Sequence, residues 1–177
     1  MNRVMEALRK RRSVREYDGT AIQKELLDLV LEAGLTAPSG RNLKPVHFLV
    51  VEDKETLKYL SQCRKAGSQL IENAGTAILV AGDENTSDTW VEDASIAMAY
   101  MHLAADALGL GSCWVQIRNR ENAEGENAGK ILQEHFAIPT HVHPVAILAL
   151  GNITAHPEGR QVTDKDSERV HREKYHG

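Results

Sequence analysis

The run Val91-Glu92-Asp93-Ala94-Ser95-Ile96-Ala97-Met98-Ala99-Tyr100-Met101-His102-Leu103-Ala104-Ala105-Asp106-Ala107-Leu108 leads directly into Gly109-Leu110-Gly111-Ser112-Cys113-Trp114-Val115-Gln116-Ile117. In the first part Ala94, Ala97, Met98, Ala99, Met101, Leu103, Ala104, Ala105 and Leu108 leave little polar surface on any side. This predicts a buried helix, with an interface as one setting for it. Gly109 and Gly111 stop the helix, because glycine tolerates the left-handed backbone that follows a helix C-terminus. A short apolar strand over Cys113–Ile117 then follows. A glycine loop that cradles nucleotide phosphates comes after a strand and opens a helix, so Gly109-Leu110-Gly111 stands in the opposite order.

Outward from this stretch, apolar runs too short for a typical helix predict further core strands at Val46–Val51, Ala77–Ala81 and Val145–Leu150. Helices are predicted over Val4–Arg11, from Thr20 to about Gly34, and from about Asn127 to Phe136, the last ended by Pro139. Thr20 and Gln23 have capping-box spacing, and Ile22, Leu26, Leu29, Val30 and Ala33 follow at helical intervals. Four core strands with helices between them predict an α/β or α+β sandwich whose strand order periodicity does not fix. The 177 residues show no repeat and no linker long enough to divide them, which predicts one domain. The segment from Asn152 to Gly177 is polar with a charged end, and has no core of its own.

No apolar stretch approaches the roughly 20 residues of a membrane span, and Met1–Arg15 is charged where a secretory signal is apolar. The expectation is a cytoplasmic protein with no membrane partner. Cys63 and Cys113 are fifty positions apart without CxxC spacing, which predicts neither a disulfide nor a zinc site. A formal net charge of −4 argues against nucleic-acid binding by overall charge. His141-Val142-His143 has the alternate spacing of a metal pair, but with no third ligand a loop before the strand is favoured over a metal site.

Two segments carry candidate chemistry. Arg9-Lys10-Arg11-Arg12-Ser13-Val14-Arg15 concentrates guanidinium groups, which grip phosphate by paired hydrogen bonds, and adds a hydroxyl donor. By pattern alone it reads equally well as a solvated helix end complementing the helix dipole. Ala37-Pro38-Ser39-Gly40-Arg41-Asn42-Leu43-Lys44-Pro45 is a shaped loop whose Ser39 and Asn42 can hydrogen-bond a planar heterocycle. Alone, it reads more readily as a turn.

Together these segments resemble the nitroreductase family. Its RxSxR-like element is matched by Arg11–Tyr17 and its APSxxNxQPW-like loop by Ala37–Val46. The alanine-rich helix and GLGSCW-like strand entry are matched by Asp93–Trp114, and the strand ending in LG by Leu150-Gly151, with a basic residue beyond. The order and spacing hold over roughly 150 residues, where each motif alone is weak. The resemblance implies an α+β fold with a central, mainly antiparallel sheet flanked by helices, in an intertwined homodimer whose C-terminal extension, residues 152–177, packs on the partner.

It also implies FMN as cofactor and NADH or NADPH as electron donor. The phosphate would be held by Arg11, Arg12, Ser13 and Arg160, with Arg15 toward the pyrimidine end of the ring. Pro38, Ser39, Gly40 and Asn42 would contact the flavin from the partner subunit, and Trp114, Val115 and Gln116 would line the ring's other side, largely through backbone. Reduced flavin is readily anionic at N1, so a fixed cation there is proportionate. No catalytic acid–base side chain is implied.

Hydride would pass from the nucleotide to flavin N5, and from the same face to a small electron-poor acceptor, a nitroaromatic or quinone, by ping-pong kinetics. Lys44 and Val46 stand where members carry glutamine and tryptophan, and Gln116-Ile117 where many carry glycines, which predicts altered geometry on the substrate side. The chain also lacks the helical insertions of longer relatives, which predicts a more open pocket. The competing readings are a non-catalytic FMN-binding protein of the same fold and, last, a nucleic-acid binder using the basic N-terminal helix.

Overall fold

A computed structural model describes residues 2 to 175. Met1, at the start of the basic segment, and His176 and Gly177, at the end of the charged tail, lie outside the described residues. The ten main elements in chain order are α1 (Arg3–Lys10), α2 (Lys24–Leu35), β1 (Val46–Val51), α3 (Lys54–Ser61), β2 (Thr76–Asp83), α4 (Trp90–Ala107), β3 (Gly111–Gln116), α5 (Ala128–His135), β4 (Val142–Gly151) and α6 (Asp164–Ser167). No helix among them is long and apolar enough to cross a membrane.

The four strands form one sheet in the order β1-β2-β4-β3, every neighbouring pair antiparallel. Alternate side chains on a strand point to opposite faces, and the sheet uses both. Ile78, Val80, Ala146, Leu148 and Leu150 pack with α2 and α4, through Val30, Met98 and Met101. Ala77, Leu79, Val115, Ile147 and Ala149 pack on the other face against Leu57 and Leu60 of α3 and Leu132 of α5. Strands buried on both faces read as continuous apolar runs, as β2 and β4 do.

Two boundaries and one whole helix stand out against the sequence reading, and β3 begins at Gly111, two residues before the predicted Cys113. The second helix begins at Lys24, after Gln23, and has no side-chain cap. Asp18 Oδ1 accepts both the backbone N–H of Thr20, at 2.9 Å, and its hydroxyl, at 2.6 Å, so the residue predicted to cap the helix closes an Asp-led turn instead. Strand β4 begins at Val142, so His143 lies within it. Pro144 is tolerated because the register skips Val145 between Val80 and Ala81, a bulge at which no ladder N–H is demanded of proline. Helix α3, capped by Asp53 Oδ2 accepting from Thr56 N–H at 2.9 Å, was absent from the sequence reading.

Helix α4 is buried on one side only. Asp93, Ala94, Ala97, Met98, Met101, His102, Ala105 and Asp106 face the sheet and α2, while Ile96 and Tyr100 are exposed. On that open side Tyr100, Leu103, Ala104 and Ala107 line a 350 Å³ hollow with Val4 and Ala7 of α1. Helix α1 itself has no buried residue.

Gly111 and Gly151 face each other at the shared end of β3 and β4. A Cβ on Gly151 would stand 2.8 Å from the Tyr17 ring, and one on Gly111 3.0 Å from Val14 Cγ1. Glycine is therefore required where residues 14–17 cross the sheet end. Gly151→Ala is expected to destabilise the fold by about 1–3 kcal/mol through overpacking, read as a lower urea midpoint at unchanged slope.

Candidate functional site

The basic segment leaves α1 at Arg11 and runs over the ends of β3 and β4. Val14 N–H donates to Ser112 O at 2.9 Å and Asp18 N–H to Asn152 O at 3.1 Å. The Tyr17 hydroxyl donates to Val14 O at 2.8 Å, and its burial holds the phenol well above its ordinary pKa. Val14 is thereby buried between half-buried Ser13 and exposed Arg15.

Arg11 Nη1 lies 2.7 Å from His102 Nε2. A guanidinium only donates, so Nε2 accepts, and the ring proton sits on Nδ1, which donates to Ser112 Oγ. His102 is thus neutral. Burial and then the Arg11 charge push its pKa down to about 4, against a smaller upward pull from Asp106. Arg15 makes no ion pair among the described residues, and Arg11 touches no carboxylate. Both act on one neighbour, the Cys113 thiol, whose pKa burial raises while Arg15 and then Arg11 pull it back.

The C-terminal segment joins this cluster. Arg160 N–H donates to Arg9 O at 2.8 Å, and Arg12 Nη1 donates to Glu158 O at 2.5 Å. Asp106, buried near the end of α4, pairs through Oδ1 with His156 Nε2 at 2.6 Å, while His156 Nδ1 faces Pro157 O at 2.7 Å. Both ring nitrogens of His156 thus face an oxygen. The structure so brings Arg11, Arg12, Ser13, Arg15 and Arg160 to one end of the sheet. The Arg160 guanidinium, however, is turned to Asp166 at 2.6 Å, a carboxylate that also takes Arg169.

The loop from Pro38 to Pro45 is built differently. Arg41, Asn42 and Lys44 all have positive φ, at 51°, 58° and 54°. Three non-glycine residues in that region cost roughly 1–3 kcal/mol each and persist only where the surroundings hold them. The hold comes from Asp93 Oδ1 accepting Gly40 N–H at 2.8 Å and Ser39 Oγ accepting Lys44 N–H at 2.9 Å. Thr89 Oγ1 donates to the other Asp93 oxygen at 3.1 Å, and a Cβ on Gly40 would collide with it. Pro38 and Ser39 line a 160 Å³ hollow with Lys44, Val46, Phe48 and Asp93. Asn42 is exposed and its side-chain amide has no partner among the described residues.

On β3, Val115 is fully in the core, and its peptide groups face β4 as those of Ile117 do, whose N–H donates to Val145 O, while the peptide groups of Gln116 turn outward as Ser112 O does. As the strand ends the sheet, one edge of its peptide groups is not paired by the ladder. The Gln116 amide is held at both ends, accepting from Trp114 Nε1 at 2.8 Å and donating to Arg118 O at 2.9 Å. Its backbone oxygen takes Arg64 Nη1 at 3.0 Å. His143 Nε2 sits 2.9 Å from Glu84 Oε1, near enough for an ion pair though not aligned for a hydrogen bond. No group of three potential metal ligands occurs among the described residues.

Sequence reasoning missed His102, Asp106 and His156, and gave no role of its own to Asp93. The available signal was ionisable residues interrupting a largely apolar helix, among them Asp93, His102 and Asp106, the last two four residues apart and therefore on one face.

The family model described as Nitroreductase family matches residues 8–67 and 58–152. The chain belongs to the nitroreductase family. It is 35% identical over 176 residues to a protein of Methanothermobacter thermautotrophicus that carries the provisional name NADH dehydrogenase/NAD(P)H nitroreductase, covering 97% of this chain and 87% of that one. Among solved structures it resembles an FMN-dependent nitroreductase from Clostridium difficile R20291, at 40% identity and a TM-score of 0.92, covering 97% and 99% of the two chains. It also resembles a provisionally named nitroreductase from Desulfovibrio desulfuricans solved in complex with FMN, at 29% identity and a TM-score of 0.80, covering 99% of each. The antiparallel α+β sheet expected from the family resemblance is the one observed.

The buried neutral histidine gives a pH signature. His102 titrates near 4 in the fold and a free histidine near 6.5, so between those values the unfolded chain binds more protons. Stability is therefore expected to fall as pH drops from about 6.5 to about 4, by roughly 3 kcal/mol in all, with no contribution above that window. Urea midpoints at pH 7 and pH 5 should converge in His102→Gln.

Proposed function

We propose that two copies of this chain hold FMN between them and pass electrons from NADH or NADPH to a small electron-poor acceptor, a nitroaromatic or quinone, by a ping-pong mechanism. One observation carries the reading. Within one chain the two candidate segments are fixed to opposite ends of α4, the loop at Asp93 and the basic segment at His102. Nine residues of helix set those anchors about 14 Å apart. A ligand gripped by both kinds of segment is better served by the basic segment of one copy and the loop of another.

The donor set fits FMN. A phosphate carries about two negative charges near neutrality, and Arg11 and Arg15 offer guanidinium groups with no carboxylate partner beside a half-buried Ser13 hydroxyl. Arg12 and Arg160 stand next to them through their backbone and carbonyl contacts. As a member of the nitroreductase family, the chain is an FMN-dependent NAD(P)H oxidoreductase. FMN, when bound, would supply N5 as hydride acceptor and the means of carrying electrons on to the second substrate.

The chain's own residues bind and orient. Arg11, Arg12, Ser13 and Arg160 would hold the phosphate, Arg15 would place a fixed positive charge at the pyrimidine end, and the β3 edge over Val115 and Gln116 would meet the ring, with the outward Gln116 N–H as the backbone donor it offers. Pro38, Ser39, Gly40 and Asn42 of the second copy close the other side. Their strained backbone is set before the ligand arrives, so little ordering entropy is lost on binding.

The exposed side of α4, the unburied α1 and the exposed Val162, Val170 and Tyr175 supply apolar surface for the second copy, with residues 152–177 packing across it. Two free, buried cysteines suit a reducing cytoplasmic compartment.

Purified protein should be yellow, bleach with NADH or NADPH and regain colour with a quinone or nitroaromatic. Yellow protein that neither nucleotide bleaches would make it a binding protein instead. Arg11→Ala and Arg15→Ala should each retain less FMN after dialysis, by roughly ten-fold or more in affinity, measured by visible absorbance. A flavin-loaded monomer in sedimentation at micromolar concentration would overturn the shared site.

A further inference from the structure

The strongest polar arrangement behind the predicted site residues is the chain Arg11–His102–Ser112, buried at His102 and Ser112. Its imidazole lies between the sheet and the basic segment, with one nitrogen on the guanidinium and the other on the first turn of β3. We infer that His102 is a positioning residue for phosphate recognition, its Nε2 fixing the Arg11 guanidinium so that the remaining N–H groups are presented to the phosphate of the bound cofactor. This rests on the FMN reading above and goes beyond it, since no flavin contact is asked of His102 itself.

The geometry leaves a narrow choice of side chain. Arg11 has five N–H donors and spends one on His102. An arginine without that contact would be a flexible rod losing substantial rotamer entropy on gripping an anion. A carboxylate in place of the imidazole would orient the guanidinium equally well but neutralise it, and would compete with the phosphate for the same donors. A neutral acceptor orients it and leaves its charge whole.

Neutrality is itself enforced. Arg11 demands a lone pair on Nε2, and Ser112 takes the only proton, on Nδ1. The charged groups facing the ring are Arg11 and, four residues along α4, Asp106, whose own partner is His156. The histidine thus behaves as a fixed dipole pointing its lone pair at the arginine.

The test compares FMN with riboflavin, which has the same ring and no phosphate. Flavin-stripped protein is titrated with each ligand, read by quenching of flavin fluorescence, for wild type, His102→Leu and His102→Gln. In His102→Leu, FMN affinity is expected to fall roughly 10-fold to 100-fold, the range for a hydrogen bond to a charged group, with riboflavin affinity within about two-fold of wild type. His102→Gln, whose amide offers both an acceptor and a donor, should recover most of the FMN affinity.

Equal losses for both ligands, or no loss for either, would overturn the role of His102 while leaving the FMN reading intact. Wild-type protein that binds FMN no better than riboflavin would overturn the phosphate site itself, and this inference with it. Should His102→Leu not fold, the glutamine variant decides through a double-mutant cycle with Arg11→Ala. Arg11→Ala must cost as much FMN affinity in His102→Gln as in wild type, and a much smaller cost in His102→Ser, where the acceptor is too short to reach, supports the coupling. Equal costs in all three backgrounds refute it.

Discussion

A polar side chain buried on an apolar helix must find a partner, because leaving it unpaired costs several times what the finished hydrogen bond contributes. On α4 this constraint acts three times. Asp93, His102 and Asp106 all face inward, and each takes its partner from a segment distant in the chain: Gly40, Arg11 and His156. The helix therefore does more than fill the space above the sheet. Its three polar positions determine where the loop, the basic segment and the C-terminal extension come to rest.

The partners are not equivalent, and the differences follow the work each segment does. Asp93 holds a backbone N–H, so it fixes a main-chain shape and lets three left-handed residues persist without glycine. His102 holds a guanidinium and leaves it charged. Asp106 takes a histidine at the head of the extension, in a contact whose carboxylate is buried, whereas the pair of Arg160 with Asp166 lies at the surface. Sheet topology adds the remaining element. Because β3 lies at the edge and is crossed by residues 14–17 only at its first residues, its far half keeps the Gln116 N–H turned outward, while Arg64 takes the Gln116 carbonyl.

Most of the fold was legible because its signals are local. Apolar runs at Val46–Val51, Ala77–Ala81 and Val145–Leu150 place three strands within a few residues of where they form, and Gly109 ends α4 as its left-handed φ of 81° requires. The errors arose where one short side chain outcompeted another, as when Asp18 took the donors of Thr20, or where, as in α3, two turns of helix carry only Leu57, Tyr59 and Leu60 as apolar positions. The antiparallel order of the sheet could not be read from periodicity and came through the family resemblance. The site divided the same way. Arg11, Ser13 and Arg15 stand out in sequence as a polar, charged cluster, whereas His102, which holds Arg11, and Asp106, which holds His156, look like interruptions of an apolar helix until the fold supplies their partners.

The two kinds of arginine partner explain why the basic segment needs a helix behind it at all. Arg160 is held by a carboxylate, so its gain from meeting a phosphate is reduced by what it gives up with Asp166, though an exposed pair of that kind holds only weakly. Arg11 gives up nothing, since the imidazole contact and an anion use different N–H groups of the same plane. A site made only of arginines paired like Arg160 would have to exchange partners at every binding event. One made only of unpaired arginines would repel itself and order poorly. Placing a neutral histidine behind the central arginine avoids both costs, which gives a physical reason for a polar ring to occupy the interior of an otherwise alanine- and methionine-rich helix.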